Sequence, residues 1–566
     1  MRRKFWMILT IYLVLLAAGA VFITVRHRED TGQPEAAAQS GGGKEQPDGK
    51  EQPDGKGQPG GREQPDGKEQ PGGQGAGFGE SGRPGDTAEG GQAQTSAGDD
   101  RDQIPGEDGR EQDRDEDGTG EANAPGVSAD ADASGVSGDA GRGQAPSEQN
   151  QAPAAVSEEP KLYEPPTIVW ASDMHFMSPS MTDYGKKFQD TVAADDGKII
   201  SYTPQLMEAF FDEVIELHPT ALILGGDVTF NGEKQCHIDL AERLRRVEEA
   251  GVKVLMIPGN HDLNNPFAAS YSGDVKTPAE SVDAEEFYEI YHEFGYDQAM
   301  SRDPWSLSYM YALDDQNWLL LLDSCIYEDG NEMGGRIREE TYIWMTDFMT
   351  ETAESGITII PASHHNLLDE SRLYTEGCTL ENNERLVKLL ESWRCPVYLS
   401  GHLHLQRIQK HGPADQYGIW EIVGSSFALP PCQYGILKWN GDGSYSYRTK
   451  LLDVGAWAEK NGITDENLLN FDEYCRQFLM ESVGAKVARK DLYYLPPGQE
   501  EAMEELYVNA YESYCGGTPI SKRSLPGYEN YWMWERNRPD SNSRMKLDIM
   551  VGDARTDCRE LEIPPY

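Results

Sequence analysis

No two of the eight cysteines, at positions 236, 325, 378, 395, 432, 475, 515 and 558, form a Cys-x-x-Cys pair. That absence argues against a thiolate zinc site and against thioredoxin-like redox chemistry. Aromatic residues are missing from residues 31–160 except for Phe78. A stretch so poor in apolar side chains, and rich in Gly, Pro, Gln, Asp and Glu, cannot offset its conformational entropy by burial, so it is read as a disordered tether. Positive charge is scarce as well, with 50 Lys and Arg against 97 Asp and Glu and a net charge of −47. Residues 1–30 carry +3 and residues 31–160 carry −18, which leaves −32 for residues 161–566. Affinity for a nucleic-acid duplex comes mainly from neutralising phosphates, so an acidic body excludes a nucleic-acid polymer as partner, though not a nucleotide as substrate.

The amino terminus has what the tether lacks. Arg2, Arg3 and Lys4 precede an uncharged run of 21 residues, Phe5 to Val25, and Arg26 and Arg28 follow it. At about 1.5 Å per residue such a helix crosses roughly 30 Å of hydrocarbon. Residues 1–30 are therefore read as a transmembrane anchor. The alternative is a cleaved signal peptide, because Ala18-Gly19-Ala20 offers a cleavage site, although the apolar run continues beyond it. Both readings export the remainder, since the basic start favours a cytoplasmic amino terminus. The tether begins with copies of Glu-Gln-Pro-Asp-Gly-Lys at 45–50, 51–56 and 63–68. These copies lack the apolar residue that a β-helix core requires, so they are read as a solvated spacer.

From Thr167 the texture changes, and 161–455 reads as the catalytic domain. Apolar runs at Thr167–Ser172, Ala221–Gly225, Lys253–Ile257, Asn317–Asp323, Gly356–Ala362 and Pro396–Ser400 alternate with helical stretches near 233–250, 283–294, 337–354 and 382–393. A further helix opens at Thr203-Pro204, where Thr can cap and Pro suits the first turn. The alternation predicts a layered α/β domain.

Chemistry gathers where these strands end: Asp173-Met174-His175, Gly226-Asp227, Gly259-Asn260-His261-Asp262, His364-His365 and Gly401-His402-Leu403-His404. Six of the eleven histidines lie in these five segments. Open α/β sheets bind ligands beyond the carboxyl ends of their strands, so five segments aim polar groups at one edge. Imidazole mixed with carboxylate and amide oxygen suits Mn, Fe, Zn or Co rather than the all-oxygen cage of calcium. In Asp-x-His and His-x-His alternate residues share a face and can reach one ion. Gly226, Gly259 and Gly401 let the backbone turn beside the ions. A carboxylate such as Asp227 can bridge two ions about 3.5–4 Å apart, the spacing of two-metal hydrolysis.

This motif series resembles that of the calcineurin-like metallophosphoesterases, over roughly residues 165–455. The resemblance implies a four-layer β-sandwich flanked by helices, in place of the simple layered sheet that the runs alone suggest. It implies two divalent ions, one held by Asp173, His175, Asp227 and His404, the other by Asp227, Asn260, His364 and His402. His365 is then left beside the ligands or facing substrate. His261 follows a ligand and is read as general acid or charge stabiliser on the leaving oxygen, with Asp262 holding its imidazole by a hydrogen bond. Within the family the chain looks most like bacterial cyclic-nucleotide-type phosphodiesterases, on Gly226 to Glu233 and on Pro258 to Asp262.

The expected function is hydrolysis of a small-molecule phosphate ester, a diester favoured, by water activated on the ions. A phosphomonoesterase or phosphoprotein phosphatase on the same scaffold is the alternative. A surface-binding protein with a vestigial site is disfavoured, because every ligand position is filled. Residues 176–202, long for such a connection, are read as either a substrate lid bearing Tyr184, Lys186 and Lys187 or a structural insertion. Arg336 and Arg338 are candidate phosphate binders. Residues 456–566, with Tyr493, Tyr494, Trp532 and Trp534, read as a mostly helical cap.

Overall fold

Leu319 and Leu321 point to one side of the strand Asn317–Leu322, while Trp318, Leu320 and Leu322 point to the other. Both faces are apolar because both are covered, as the period of two in a strand requires. This computed structural model describes residues 164–328, 330–352 and 356–565. The apolar run Phe5 to Val25 and the tether repeats lie outside the described residues. Among the described residues no helix is long and apolar enough to cross a membrane.

Two sheets face each other. The first has the order Glu560–Ile563, Tyr445–Leu451, Gln433–Trp439, Thr167–Ala171, Ala221–Gly225 and Lys253–Ile257. The second runs Arg407–His411, Ile419–Val423, Val397–Ser400, Thr358–Ser363, Asn317–Leu322, Tyr309–Ala312 and Ser301–Arg302. Trp170, Ile223 and Leu255 of the first share one core with Leu319, Ile360, Leu399 and Ile422 of the second. The helices Thr203–Leu217 and Lys234–Glu249 cover the outer face of the first sheet through Phe210, Val214, Leu240 and Leu244. The helices Glu339–Thr352 and Asn383–Ser392 cover the second through Met345, Leu386 and Leu390. The result is the helix–sheet–sheet–helix sandwich implied by the family resemblance.

The strands predicted from sequence are parallel neighbours, three at one end of the first sheet and three at the middle of the second. Thr167–Ala171 pairs with Ala221–Gly225, which pairs with Lys253–Ile257, all parallel. After residue 405, Ile419–Val423 pairs parallel with Val397–Ser400, while Arg407–His411, Gln433–Trp439, Tyr445–Leu451 and Glu560–Ile563 pair antiparallel; none of these strands is predicted from sequence. Helices run from Val454 to Asp553, after which Glu560–Ile563 returns to pair antiparallel with Tyr445–Leu451. These helices have their own core, with Leu479, Met503, Leu506, Trp534 and Leu547, and it takes in Leu403, Leu405 and Leu429 of the sandwich. Trp534 is buried there, whereas Tyr493, Tyr494 and Trp532 are exposed.

One buried group of this frame gives stability a pH dependence. His237, fully buried on the helix Lys234–Glu249, lies 3.0 Å from the Tyr291 hydroxyl and 3.2 Å from the Asp262 carbonyl. Burial lowers its pKa from 6.5 to about 3. A depressed folded-state value means that the unfolded chain binds the proton first. His237 therefore contributes stability that is complete above 6.5 and is lost as pH falls toward 3, by about 1.4 kcal/mol per pH unit inside that window. Urea unfolding at pH 7, 6 and 5, with chelator present throughout, should show a shallower loss in His237→Gln. Identical slopes would remove His237 from the balance.

Candidate metal centre

The apolar strands end abruptly in polar, backbone-strained loops. Asp173, His175, Asp227, His402 and His404 all have positive φ, from 46° to 70°. Non-glycine residues avoid that region at a cost of about 1–3 kcal/mol each, and such strain persists only where surrounding contacts over-determine it. Here Asp173 N–H donates to the Gly226 carbonyl (3.0 Å), His175 N–H to the Asp227 carbonyl (2.9 Å) and Gly401 N–H to the His364 carbonyl (2.9 Å). The strands thus lock one another's ends. Gly259 serves close approach rather than a turn, because a Cβ there would collide with the Asp227 carboxylate.

Two donor groups result. Asp173, His175, Asp227 and His404 bring ligand atoms within 4.8 Å of one another, and Asp227, His364 and His402 do the same. Asp227 belongs to both. The Asn260 carboxamide oxygen joins the second group, 3.2 Å from His364 Nε2. All seven ligand residues predicted from sequence are therefore brought together, in the two sets that the resemblance implied.

The hydrogen bonds decide which ring nitrogen of each imidazole is available. A carbonyl can only accept, so His364 Nδ1–H donates to the Gly225 carbonyl (2.9 Å) and Nε2 turns to Asp227 Oδ1 at 3.4 Å. His402 Nε2–H donates to the Gly377 carbonyl (3.1 Å), which leaves Nδ1. Outer partners of this kind fix tautomer and orientation in metal sites. Burial raises Asp173 and would raise Asp227, but His364 and then His261 outweigh burial and hold Asp227 well below the usual range. Burial would lower His364, yet Asp227 lifts it to about 9. Burial lowers His175 and His402 well below the usual imidazole value. The centre therefore combines the neutral imidazoles of His175 and His402 with buried carboxylates that favour a cation beside them. A proton on His364 can meet part of that preference, and a divalent ion meets it with release of the proton. The residues fit a pair of transition-metal ions.

His261 stands beside the cluster without joining either group. Its Nδ1–H donates to the Phe230 carbonyl at 2.9 Å, its backbone N–H donates to Asp227 Oδ1 at 2.7 Å, and Nε2 lies 4.0 Å from Asp227 Oδ2. The side chain is 16% exposed, so Nε2 is open to a bound molecule.

Asp262 does not hold that imidazole, contrary to the expectation from sequence. Its carboxylate is fully buried and accepts from the backbone N–H of Gly259 (2.9 Å), Thr229 (3.0 Å) and Val228 (3.2 Å) and from the Thr229 hydroxyl (3.0 Å). Burial, with Asp227 nearby, raises it to about 7. It clamps the Asp227 loop to the Asn260 loop from beneath, and the Phe230 carbonyl orients His261 instead. Asp262→Ala would leave three backbone N–H groups without an acceptor. With a cost of about 1–3 kcal/mol for each such group, unfolding stability should fall by more than about 3 kcal/mol. Reduced turnover with unchanged stability in urea would restore a catalytic role.

Other sequence readings also resolve. His365 lies beside the candidate ligands, its ring 4.5 Å from that of His402, and is buried, with Nδ1 2.8 Å from the Ser324 hydroxyl and Nε2–H donating to the Met333 carbonyl at 3.0 Å. Arg338 pairs with Asp323 (3.3 Å) and Glu328 (2.8 Å) with only 9% of its side chain exposed, and Arg336 also pairs with Glu328. Residues 176–202 contain the helix Lys186–Ala194, where Lys186 pairs with Asp190 and Tyr184 stands edge-on to Phe188. From this segment it is Asp196, absent from the sequence reading, that reaches the centre at His404. Asp196-Gly197 reads as an ordinary turn, and nothing local marks it.

Residues 166–406 match the family model of the calcineurin-like phosphoesterases, and residues 453–557 match the C-terminal domain of cyclic nucleotide phosphodiesterase. No curated protein matches the chain. Similar solved structures include a dimetal phosphatase from Danio rerio, at 12% identity and a TM-score of 0.37, covering 51% of this chain and 97% of that one. A purple acid phosphatase from yellow lupin seeds is similar at 11% identity and a TM-score of 0.32, covering 51% and 52%. PhoD is similar at 11% identity and a TM-score of 0.31, covering 52% and 67%.

Proposed function

Because residues 166–406 form a calcineurin-like phosphoesterase domain, followed by a region like the C-terminal domain of cyclic nucleotide phosphodiesterase, we propose that this protein is a phosphodiesterase acting on a nucleotide-type or other small phosphodiester. The observation that carries the reading is the Asp227 carboxylate shared by two donor groups, with His261 beside it. Asp173, His175, Asp227 and His404 would hold one divalent ion, and Asp227, Asn260, His364 and His402 the other. When bound, such ions supply Lewis acidity toward phosphoryl oxygens and acidify water at neutral pH. The chain's own residues do the rest. The carbonyls of Gly225 and Gly377 keep the His364 and His402 lone pairs aimed inward. The Phe230 carbonyl holds His261 Nδ1–H, so a protonated Nε2 can donate to the leaving oxygen. A diester leaves an alkoxide, which needs that proton.

We further propose that the catalytic part acts outside the cytoplasm, tethered by residues 31–160 to an anchor within residues 1–30. The supports are the basic residues before the apolar run and the composition of the spacer. The deciding assay measures hydrolysis of bis-p-nitrophenyl phosphate and p-nitrophenyl phosphate by the full-length chain, with Mn, Zn, Co and Fe in turn. The diester should be the better substrate. Preference for the monoester would overturn the diester assignment, and no turnover with any metal would overturn the enzymatic one.

A further inference from the structure

Asp196 lies outside every metal motif, yet its Oδ2 accepts from His404 Nδ1–H at 2.8 Å. A carboxylate of this kind only accepts, so His404 Nε2 keeps its lone pair, 3.2 Å from His175 Nε2 and 3.5 Å from Asp173 Oδ1. Lys198 Nζ in turn pairs with Asp196 Oδ1 at 3.0 Å and with Asp195 at 3.3 Å, its own side chain buried. The far side of this loop belongs to the carboxyl-terminal helices. The Tyr511 hydroxyl donates to the Asp196 carbonyl at 2.8 Å, and Lys486 Nζ donates to the carbonyls of Ala194, at 2.9 Å, and Asp195. Gly197 has φ +108°, and a Cβ there would lie 2.9 Å from Leu479 and 3.2 Å from Val483. The neighbours of His404 in sequence, Leu403 and Leu405, are buried in the same helical core.

We infer that Asp196 is a positioning residue for the metal ligand His404, and that the carboxyl-terminal helices hold it in register through Tyr511, Lys486 and the Gly197 contact. The helical region is thereby part of the metal centre rather than an independent module. A carboxylate behind a ligating imidazole fixes its tautomer and raises its basicity, and its loss weakens metal affinity by about 10–100-fold. The inference rests on the two-ion reading given above.

Equilibrium dialysis of the full-length chain against Mn²⁺, read by mass spectrometry of bound metal, tests both. The wild-type chain should hold two equivalents. In Asp196→Ala one of them should bind about 10–100-fold more weakly while the other is retained. Asp196→Asn, whose amide oxygen still accepts from Nδ1–H, should recover most of the loss. Tyr511→Phe keeps the Asp196 side chain and removes one hydrogen bond to its carbonyl, so it should weaken the same ion to a smaller degree. In all three variants kcat should fall more than KM changes. Two equivalents at wild-type affinity in Asp196→Ala would overturn the inference, as would equal losses in the Ala and Asn variants. If Asp196→Ala does not fold, an unchanged Mn²⁺ affinity in Tyr511→Phe overturns the role of the helices. A wild-type chain that takes up neither Mn²⁺ nor Zn²⁺ would instead defeat the two-ion reading itself.

Discussion

Asp227→Ala should abolish hydrolysis and release at least one of the two metal equivalents. Asp227 is the residue common to both donor groups, and its Oδ1 also accepts the backbone N–H of His261. Removing the carboxylate withdraws a ligand from both ions at once, takes away the charge that lifts His364, and loosens the loop that carries Asn260 and His261. Each other ligand serves one ion, so its loss should be milder in metal content. Inductively coupled plasma mass spectrometry of the purified variant gives the stoichiometry directly. Two equivalents retained would end the assignment of Asp227 as the shared ligand.

His261→Ala should separate chemistry from metal binding. His261 belongs to neither donor group, and its Nδ1 is engaged by the Phe230 carbonyl, so both ions should remain. The loss should fall on turnover, at about 10²–10⁴-fold, the range of general acid catalysis. It should depend on the leaving group. An alkoxide leaves poorly without a proton, whereas nitrophenolate leaves readily, so the variant should be crippled on an alkyl or nucleotide diester and hurt less on a nitrophenyl diester. Equal losses on both would assign His261 to charge stabilisation alone. A missing metal equivalent would make it a ligand.

The two variants read opposite sides of one arrangement. Asp227 orients the His261 backbone while His261 depresses the Asp227 carboxyl, second only to His364 among the imidazoles near it. Double substitution should therefore cost less than the product of the single effects, because neither residue works in the other's absence.

The sequence by itself determined the candidate ligands and the strand ends at which they stand. Asp173, His175, Asp227, Asn260, His364, His402 and His404 each stand just after an apolar run, which marks the end of a buried strand. The parallel strands of the sandwich were legible for the same reason, since burial on both faces makes them continuously apolar. The tertiary structure decided what each polar group does with its second hydrogen bond. Asp262 and His261 are adjacent in the chain, but one turns inward to three backbone N–H groups and the other to the Phe230 carbonyl with its side chain partly exposed. His365 was set aside from the ligands by Ser324 and Met333, residues far from it in sequence. Asp196 was invisible because its partner His404 is 208 residues away, and Tyr511, which steadies it, is farther still. Local pattern reports which groups can bind a metal. The contacts that orient those groups are long-range: loops of the sandwich bring the Gly225, Gly377 and Phe230 carbonyls to His364, His402 and His261, and the packing of the carboxyl-terminal helices steadies the Asp196 loop behind His404.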